Sequence, residues 1–123
     1  MNWDILLIIA AVIVVVFMLK RAGQISTQAA QAHFKNGALV IDVRSPGEFS
    51  SGHLPPAINV PLDELETALP RRVQDKNQVL LLHCLSGTRS GMAMAKLKRL
   101  GYPNVHNLGS YGRAQQILNN QRA

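Results

Sequence analysis

The stretch of sequence that decides the fold is Val79-Leu80-Leu81-Leu82-His83-Cys84-Leu85-Ser86-Gly87-Thr88-Arg89-Ser90. Its first half is a short apolar run, which is typical of a strand buried on both faces of a parallel sheet. Its second half holds glycine, hydroxyl and arginine side chains and leads into a segment with helical periodicity over residues 88–100. The sequence therefore predicts a strand, a tight loop and a helix, with a cysteine where the strand ends.

The loop after this strand has the composition of an anion-binding site. Gly87 allows the backbone of a tight turn, in which successive N–H groups point inward as a nest. The helix that follows adds the positive end of its dipole. These groups and Arg89 favour the anionic form of Cys84, so we expect a thiol with a lowered pKa; an inert buried thiol is the alternative. Such a cradle suits a nucleophile that attacks an anionic substrate.

Alternating strands and helices surround this stretch. The alternation predicts an α/β fold, with a parallel sheet of about five strands and helices on both faces. Sites in open parallel sheets form at the carboxyl ends of the strands, where Asp42, Arg44 and Cys84 fall. The predicted strands are residues 24–25, 38–43, 57–60, 78–83 and 105–108, and the predicted helices are residues 26–35, 46–50, 62–69, 88–100 and 111–120.

The N-terminus differs in composition from the rest of the chain. The 123 residues are 47% apolar and 16% charged, but residues 5–19 form an unbroken apolar run. This run predicts a transmembrane helix, which divides the chain into an anchor, residues 1–21, and one compact domain, residues 22–123. As a helix the run measures about 22 Å against a hydrocarbon core of roughly 30 Å, so a buried core helix and a signal peptide are the alternatives.

Charges on either side of the run predict its orientation. Lys20 and Arg21 follow it, and no lysine or arginine precedes it. The positive-inside rule therefore predicts a single-pass protein of the cytoplasmic (inner) membrane, with its C-terminal domain in the cytoplasm. The single cysteine agrees, because it has no disulfide partner and a working thiolate survives in reducing cytosol.

The net charge of +6 is spread along the domain. Its basic residues are not interleaved with aromatic ones as in a single-strand binding groove, so we expect no nucleic-acid partner. A solvated surface, or attraction to anionic lipid headgroups, explains the charge better. We also expect no metal and no organic cofactor, because the four histidines lack ligand-like spacing and one cysteine cannot build a structural zinc site.

Three segments of the domain together resemble a known family. Residues 41–49 read IDVRSPGEF, residues 52–61 read GHLPPAINVP, and Cys84-x-x-Gly87-x-Arg89-Ser90 follows the buried strand. In this order they resemble the signatures of rhodanese-like sulfurtransferases, and the resemblance extends over residues 24–118. It implies the single-domain, bacterial type of rhodanese-like fold, here with the predicted membrane anchor before it.

The resemblance also implies a chemistry for each of these segments. Cys84 would be the catalytic residue, which takes the outer sulfur of a small anionic donor such as thiosulfate as a persulfide. Cyanide or a thiol, including a protein thiol, would then accept the sulfur. By the resemblance, Asp42 and Arg44 would lie near the loop and support it; their charges favour a structural ion-pair network, with Arg44 bonding Glu48, over a direct part in the chemistry. The substrate-binding, active-site loop would consist of Leu85, Ser86, Gly87, Thr88, Arg89 and Ser90, with Arg89 orienting the donor.

Two other functions stay open at this point. A rhodanese-like domain of low turnover would serve as a binding, sulfur-delivery or sensing module at the membrane. The pair His83-Cys84 also resembles related phosphatases and arsenate reductases, which have five residues between cysteine and arginine. Four residues separate Cys84 from Arg89, and this shorter loop favours sulfur over phosphate or arsenate.

Overall fold

A parallel sheet of four strands, in the order β2-β1-β3-β4, forms the centre of the domain. The computed structural model describes residues 2–120, except for the side chains of residues 20–22. The strands are β1 (Leu39–Asp42), β2 (Ala57–Asn59), β3 (Leu80–His83) and β4 (Val105–Gly109). The helices are α1 (Trp3–Ala22), α2 (Thr27–Lys35), α3 (Pro46–Ser51), α4 (Leu65–Arg72), α5 (Thr88–Arg99) and α6 (Tyr111–Asn120), and a 3-10 turn (Leu62–Glu64) precedes α4.

Successive side chains of the central strand β3 enter two different apolar cores. Leu80 and Leu82 pack in one core with Leu97 of α5 and with α4, and Leu81 packs in the other with Ile117 of α6 and with α2. This division follows from the alternation of side chains along a strand. All four strand residues are fully buried, which confirms the predicted α/β sheet with helices on both faces.

The sheet has four strands, so the prediction of about five was wrong. The segment at residues 24–25 does not form a strand in the described part of the chain. A single backbone hydrogen bond, from Ile25 N–H to the Asn107 carbonyl (2.9 Å), ties it to β4. Ser26 then starts α2 immediately by accepting the Ala29 N–H, so the segment is too short for a ladder of hydrogen bonds.

Helix α4 continues through Pro70 to Arg72, whereas the sequence predicted that it would end at Pro70. Proline fixes a backbone φ that a helix accepts, and its cost is one missing N–H and a crowded carbonyl four residues earlier. The turn after it still closes, because Val73 N–H donates to the Leu69 carbonyl at 2.8 Å. Leu65 and Leu69 of this helix are fully buried and hold it on the sheet.

Helix α1 contains the apolar run of residues 5–19. Its large apolar side chains are between 39% and 77% exposed. Of the helices in the described residues, none combines the length and the apolar character needed to cross a membrane. The transmembrane helix predicted within residues 1–21 is therefore not confirmed; the uninterrupted run, at about 22 Å, is shorter than the hydrocarbon core.

The register of the sheet sets the position of the candidate site. Asp42 at the end of β1 lies beside His83 at the end of β3. His83 in turn pairs with Gly109 of β4, after an irregularity between Leu82 and His83. The carboxyl ends of three adjacent strands thus meet at one edge, directly below the loop that begins at Cys84.

Candidate active site

Two glycines shape the loop between β3 and α5. Gly87 precedes α5 with a φ of 97°, and Gly109 at the end of β4 has the same φ. A Cβ atom on Gly87 would lie 3.3 Å from the Gly109 Cα, and one on Gly109 would lie 2.7 Å from Gln24 Nε2. The left-handed conformation and the close approach together require glycine at both positions. The sequence predicted a tight turn at Gly87 but not at Gly109.

The sulfur of Cys84 lies inside a ring of hydrogen-bond donors. Gly87 N–H donates to Sγ at 3.0 Å, and the Ser90 N–H and hydroxyl lie 3.4 Å from it. Cys84 and Ser90 are both fully buried. Because the loop bends at Gly87, its N–H groups converge on the sulfur in the way the sequence predicted for an anion nest.

These contacts decide the ionisation of Cys84. Burial acts to raise the pKa of the thiol, but the Ser90 hydroxyl and the backbone N–H groups of Ser90, Gly87 and Ser86 outweigh burial. The net pKa therefore lies below the ordinary value for cysteine. Hydrogen bonds to an anion favour its charged form, so more of Cys84 is thiolate at neutral pH than for a free cysteine.

Arg89 is paired with a carboxylate from a different part of the chain. Its Nη1 and Nη2 atoms lie 2.6 Å and 3.0 Å from the two carboxylate oxygens of Glu48. A side-chain hydrogen bond from Arg89 is the main cause that lowers the pKa of Glu48 to about 2. This bidentate geometry fixes the guanidinium on the first turn of α5. The expectation that Glu48 bonds Arg44 was wrong, because the turn of α3 presents Glu48 to the loop.

Arg44 bonds Asp42 and not Glu48. Its backbone N–H, Nε and Nη2 donate to the Asp42 carboxylate at 2.7–3.0 Å, and Nη2 also donates to the Gly52 carbonyl at 2.8 Å. The side-chain hydrogen bond to Asp42 is the main cause that raises the pKa of Arg44. Asn59 Nδ2 donates to the carbonyls of both Asp42 and Arg44. This network holds the ends of β1 and β2 together below the loop, and the hydrogen bonds to the Cys84 sulfur come from Gly87 and Ser90 instead.

His83 lies next to Cys84 in sequence but faces the opposite side of the sheet. Its ring makes an edge contact with Tyr111 of α6 at 5.7 Å, and its Nε2 is 3.6 Å from Asp42 Oδ2. Burial is the main cause that lowers the pKa of His83, which favours the neutral form of its imidazole. The neutral form places no charge beside Cys84.

The other loop residues lie at the mouth of the cradle. Leu85, Ser86 and Thr88 are exposed, unlike Gly87 and Ser90. The Leu85 carbonyl accepts the Tyr111 N–H, and Ser86 forms a bridge with Ser110. The N-terminal part of the loop is therefore tied to the segment where β4 passes into α6, and the side chains of Leu85, Ser86 and Thr88 stay exposed.

Asn107 on β4 belongs to the candidate site and was not predicted from the sequence. Its side chain is buried and bonds Ser90, Gly87 and Gly109. A polar residue at an inward position between Val105 and Leu108 was the available signal, because a buried amide in a strand needs partners. The sequence alone does not show that those partners belong to the nucleophile's loop.

The structure thus shows an α/β domain with a buried cysteine whose pKa is lowered by hydrogen bonds from loop N–H groups at the carboxyl edge of a parallel sheet. The family model described as Rhodanese-like domain matches residues 26–112. The chain belongs to the rhodanese-like domain family.

Relatives from several organisms carry names that describe sulfur transfer. The thiosulfate sulfurtransferase PspE of Escherichia coli is 39% identical over 69 residues, which are 56% of this chain and 66% of PspE, just under two thirds of its length. The thiosulfate sulfurtransferase GlpE of Pseudomonas syringae is 33% identical over 69% of this chain and 78% of its own. The structure of the human single-domain sulfurtransferase TSTD1 superposes with a TM-score of 0.66 at 29% identity, covering 76% of this chain and 96% of that one.

Proposed function

We propose that the protein is a sulfurtransferase that moves sulfane sulfur from a donor such as thiosulfate to a thiophilic acceptor through a persulfide on Cys84. One observation carries this proposal: the Cys84 sulfur accepts the Gly87 N–H at 3.0 Å, with two Ser90 donors at 3.4 Å. The same donors would stabilise the negative charge of a terminal persulfide sulfur. The names of PspE and GlpE support the same reaction class.

The reaction divides into two displacements at sulfur. In the first, the Cys84 thiolate attacks the outer sulfur of thiosulfate, a new S–S bond forms, and sulfite leaves with the electron pair of the bond that breaks. In the second, cyanide or a thiolate attacks the outer sulfur of the persulfide, and Cys84 leaves as a thiolate. Thiocyanate or a new persulfide is the product, and no external oxidant or reductant is consumed.

Full-length protein mixed with thiosulfate and cyanide tests this proposal directly. We expect thiocyanate to accumulate catalytically and intact-protein mass spectrometry to find one added sulfur atom after thiosulfate alone. Because the chain has one cysteine, that atom is assigned without peptide mapping. The proposal would be refuted if neither thiocyanate nor added sulfur were detected, whether the donor was thiosulfate or an organic persulfide.

Arg89→Ala is expected to weaken the use of anionic donors about tenfold or more, since a charge-assisted hydrogen bond contributes roughly 1.5–3 kcal/mol. Glu48 fixes the guanidinium at the mouth of the loop, where it would meet the dianion. The measurement compares kcat/KM for thiosulfate with that for an uncharged thiosulfonate. Arg99→Ala, an exposed arginine later on the same helix, is the control and should change neither value. Equal losses for both donors in Arg89→Ala would contradict the assigned role.

A low-turnover module for sulfur delivery or sensing is the second candidate. The complete burial of Cys84 favours it, because a small donor has to reach a covered sulfur. Under this alternative, thiosulfate loads Cys84 within one turnover, while cyanide discharges it slowly. Loading of Cys84 is followed by mass spectrometry in a single turnover, and cyanide or a protein thiol is then added. Slow discharge to every small acceptor, with rapid discharge to the protein thiol, would support the low-turnover module over the sulfurtransferase.

Attachment to the cytoplasmic membrane through α1, with the domain in the cytoplasm, is also part of the proposal. Its support is the apolar run of residues 5–19, with its exposed side chains, and the basic pair that follows it in sequence. Because no described helix has the properties of a span, the test first asks about attachment and then about orientation.

Carbonate-washed membranes are expected to retain the full-length protein, and a reporter fused to its C-terminus should read cytoplasmic. Ile13→Lys should reduce retention strongly, because a charge in the middle of an apolar helix costs about 3 kcal/mol on insertion. Thr67→Lys on the exposed surface of α4 is the matched control and should leave retention unchanged. Recovery of the unaltered protein in the wash would refute attachment.

A further inference from the structure

Asn107 joins β4 to three groups of the nucleophile's loop and its surroundings. Its Oδ1 accepts the Ser90 hydroxyl at 2.7 Å and the Gly109 N–H at 2.9 Å. Its Nδ2 donates to the Gly87 carbonyl at 3.2 Å. The residue is only 5% exposed, so these protein groups are the partners on which its amide depends.

The Ser90 hydroxyl has one proton and three acceptors within reach. These are Asn107 Oδ1 at 2.7 Å, the Gly87 carbonyl at 3.2 Å and Cys84 Sγ at 3.4 Å. A hydroxyl donates one hydrogen bond and chooses its direction by rotating about its C–O bond. The shortest contact is the one to Asn107, so the proton reaches the sulfur only when that contact is given up.

We propose that Asn107 is a positioning residue that competes with the Cys84 sulfur for the Ser90 proton and so sets the reactivity of the thiolate. This inference deepens the proposed sulfur transfer and rests on it. While the sulfur is a neutral thiol, the hydroxyl donates to Asn107. When the sulfur becomes a thiolate or a terminal persulfide, the hydroxyl turns to the anion, because a charge-assisted hydrogen bond is roughly twice as strong as a neutral one.

Because of this competition, the Ser90 hydroxyl donates to the Cys84 sulfur only when the sulfur is charged. Gly87 N–H is fixed by the backbone and donates to the sulfur in either state. The Ser90 hydroxyl needs only a torsional rotation and no movement of heavier atoms. The donor set is therefore weaker in the resting thiol than in the charged states through which the transfer passes, and Asn107 determines the difference.

The ion pairs around Cys84 do not include Asn107. Arg89 on α5 is held by Glu48 from α3. On the β1 side, Asp42 and Arg44 bond each other, and His83 faces them from β3. A shift in the pKa of Cys84 after substitution of Asn107 therefore reports the hydrogen-bond exchange and not the loss of an ion pair.

A double-mutant cycle tests the proposal by titration. Thiolate absorbance of the full-length protein reports Cys84 alone, since no other cysteine is present. Ser90→Ala is expected to raise the pKa of Cys84, because a donor to the anion is lost. Asn107→Leu, similar in size but without an acceptor, is expected to lower it by about one unit, the equivalent of one hydrogen bond.

The decisive comparison is Asn107→Leu in the Ser90→Ala background, where we expect no shift. A shift of the same size with and without the Ser90 hydroxyl, an increase in pKa, or no shift in either background would overturn the proposal. Asn104→Leu, next to β4 at its other end, is the matched control and should leave the pKa unchanged. Thermal unfolding shows that each variant is folded.

Asn107→Ala takes the place of Asn107→Leu in the same cycle if the Asn107→Leu variant does not fold. Ser90→Ala alone remains informative, since an unchanged or lowered pKa in that variant also overturns the competition. The titration needs neither donor nor acceptor, so its outcome is independent of turnover. If Cys84 titrates as expected but the protein transfers no sulfur, the proposed function is refuted and the hydrogen-bond exchange is still supported.

Discussion

Cys84→Ser is expected to abolish sulfur transfer, with a loss of at least about a thousandfold, as for other enzymes that lose their nucleophile. A serine hydroxyl ionises far less readily than a thiol, and it cannot carry a persulfide. The loop donors that stabilise the anion of Cys84 act on an atom that must be charged to react. No other cysteine can replace it, because the chain has only one.

The serine variant should nevertheless fold. Its hydroxyl oxygen can accept the Gly87 N–H that the sulfur accepts at 3.0 Å, and the side chain is slightly smaller at a fully buried position. We therefore expect an unchanged circular dichroism spectrum and a modest decrease in thermal stability. This separates loss of chemistry from loss of structure.

Two measurements check the Cys84 prediction: thiocyanate formation, and the mass of the protein after incubation with thiosulfate. Thr67→Ala, whose exposed hydroxyl bonds only the nearby Glu64 carbonyl, is the control and should retain full activity. Thiocyanate production by Cys84→Ser at a rate near that of the unaltered protein would show that the sulfur passes through no covalent intermediate on Cys84.

The features that could be predicted from the sequence depend on neighbouring residues. The buried strand, the bend at Gly87 and the helix from Thr88 lie within one continuous stretch, and their apolar pattern and glycine position indicate each element. The sulfur's donors, Gly87 and Ser90, lie within six residues of Cys84. The cradle was therefore predictable as soon as strand, loop and helix were identified.

The features that could not be predicted depend on residues far apart in the chain. Glu48 and Arg89 are separated by 41 positions, and Asn107 and Ser90 by 17. The sequence led to a pairing of Glu48 with the nearby Arg44, and only the placement of α3 against the loop shows that Glu48 bonds Arg89. Hydropathy likewise identifies the run in α1, but it does not say what the exposed side chains of that run contact.

Asp42→Ala is expected to destabilise the domain by about 3–5 kcal/mol, the usual result of removing one partner of a buried ion pair. Asp42 is fully buried, and Arg44, which bonds it through three nitrogen atoms, is 6% exposed. Without the carboxylate, the guanidinium keeps the Gly52 carbonyl as its hydrogen-bond acceptor within the described residues. Since domains of this size are stable by only about 5–15 kcal/mol, the loss should be visible as a large shift in denaturation midpoint.

Removing both partners separates the contribution of the ion pair to stability from the cost of leaving Arg44 buried without its partner. Asp42→Ala with Arg44→Leu removes both charges of this pair, so we expect it to recover part of the stability that Asp42→Ala loses. Urea denaturation of the three proteins measures these differences, and Glu66→Ala, which removes an exposed carboxylate 3.9 Å from Lys96, is the control at about 0.5 kcal/mol or less.

Asp42→Ala also tests whether Asp42 only supports the loop or takes part in the reaction. The end of β1 is tied to β3 by the Val43 N–H, which donates to the His83 carbonyl one residue before Cys84. If Asp42 acts only as support, Asp42→Ala at low temperature, where the fold persists, should change the pKa of Cys84 little and lower activity in proportion to the folded fraction. A large fall in kcat in fully folded protein would instead show that the buried carboxylate takes part in the reaction, because loss of folded protein could no longer explain it.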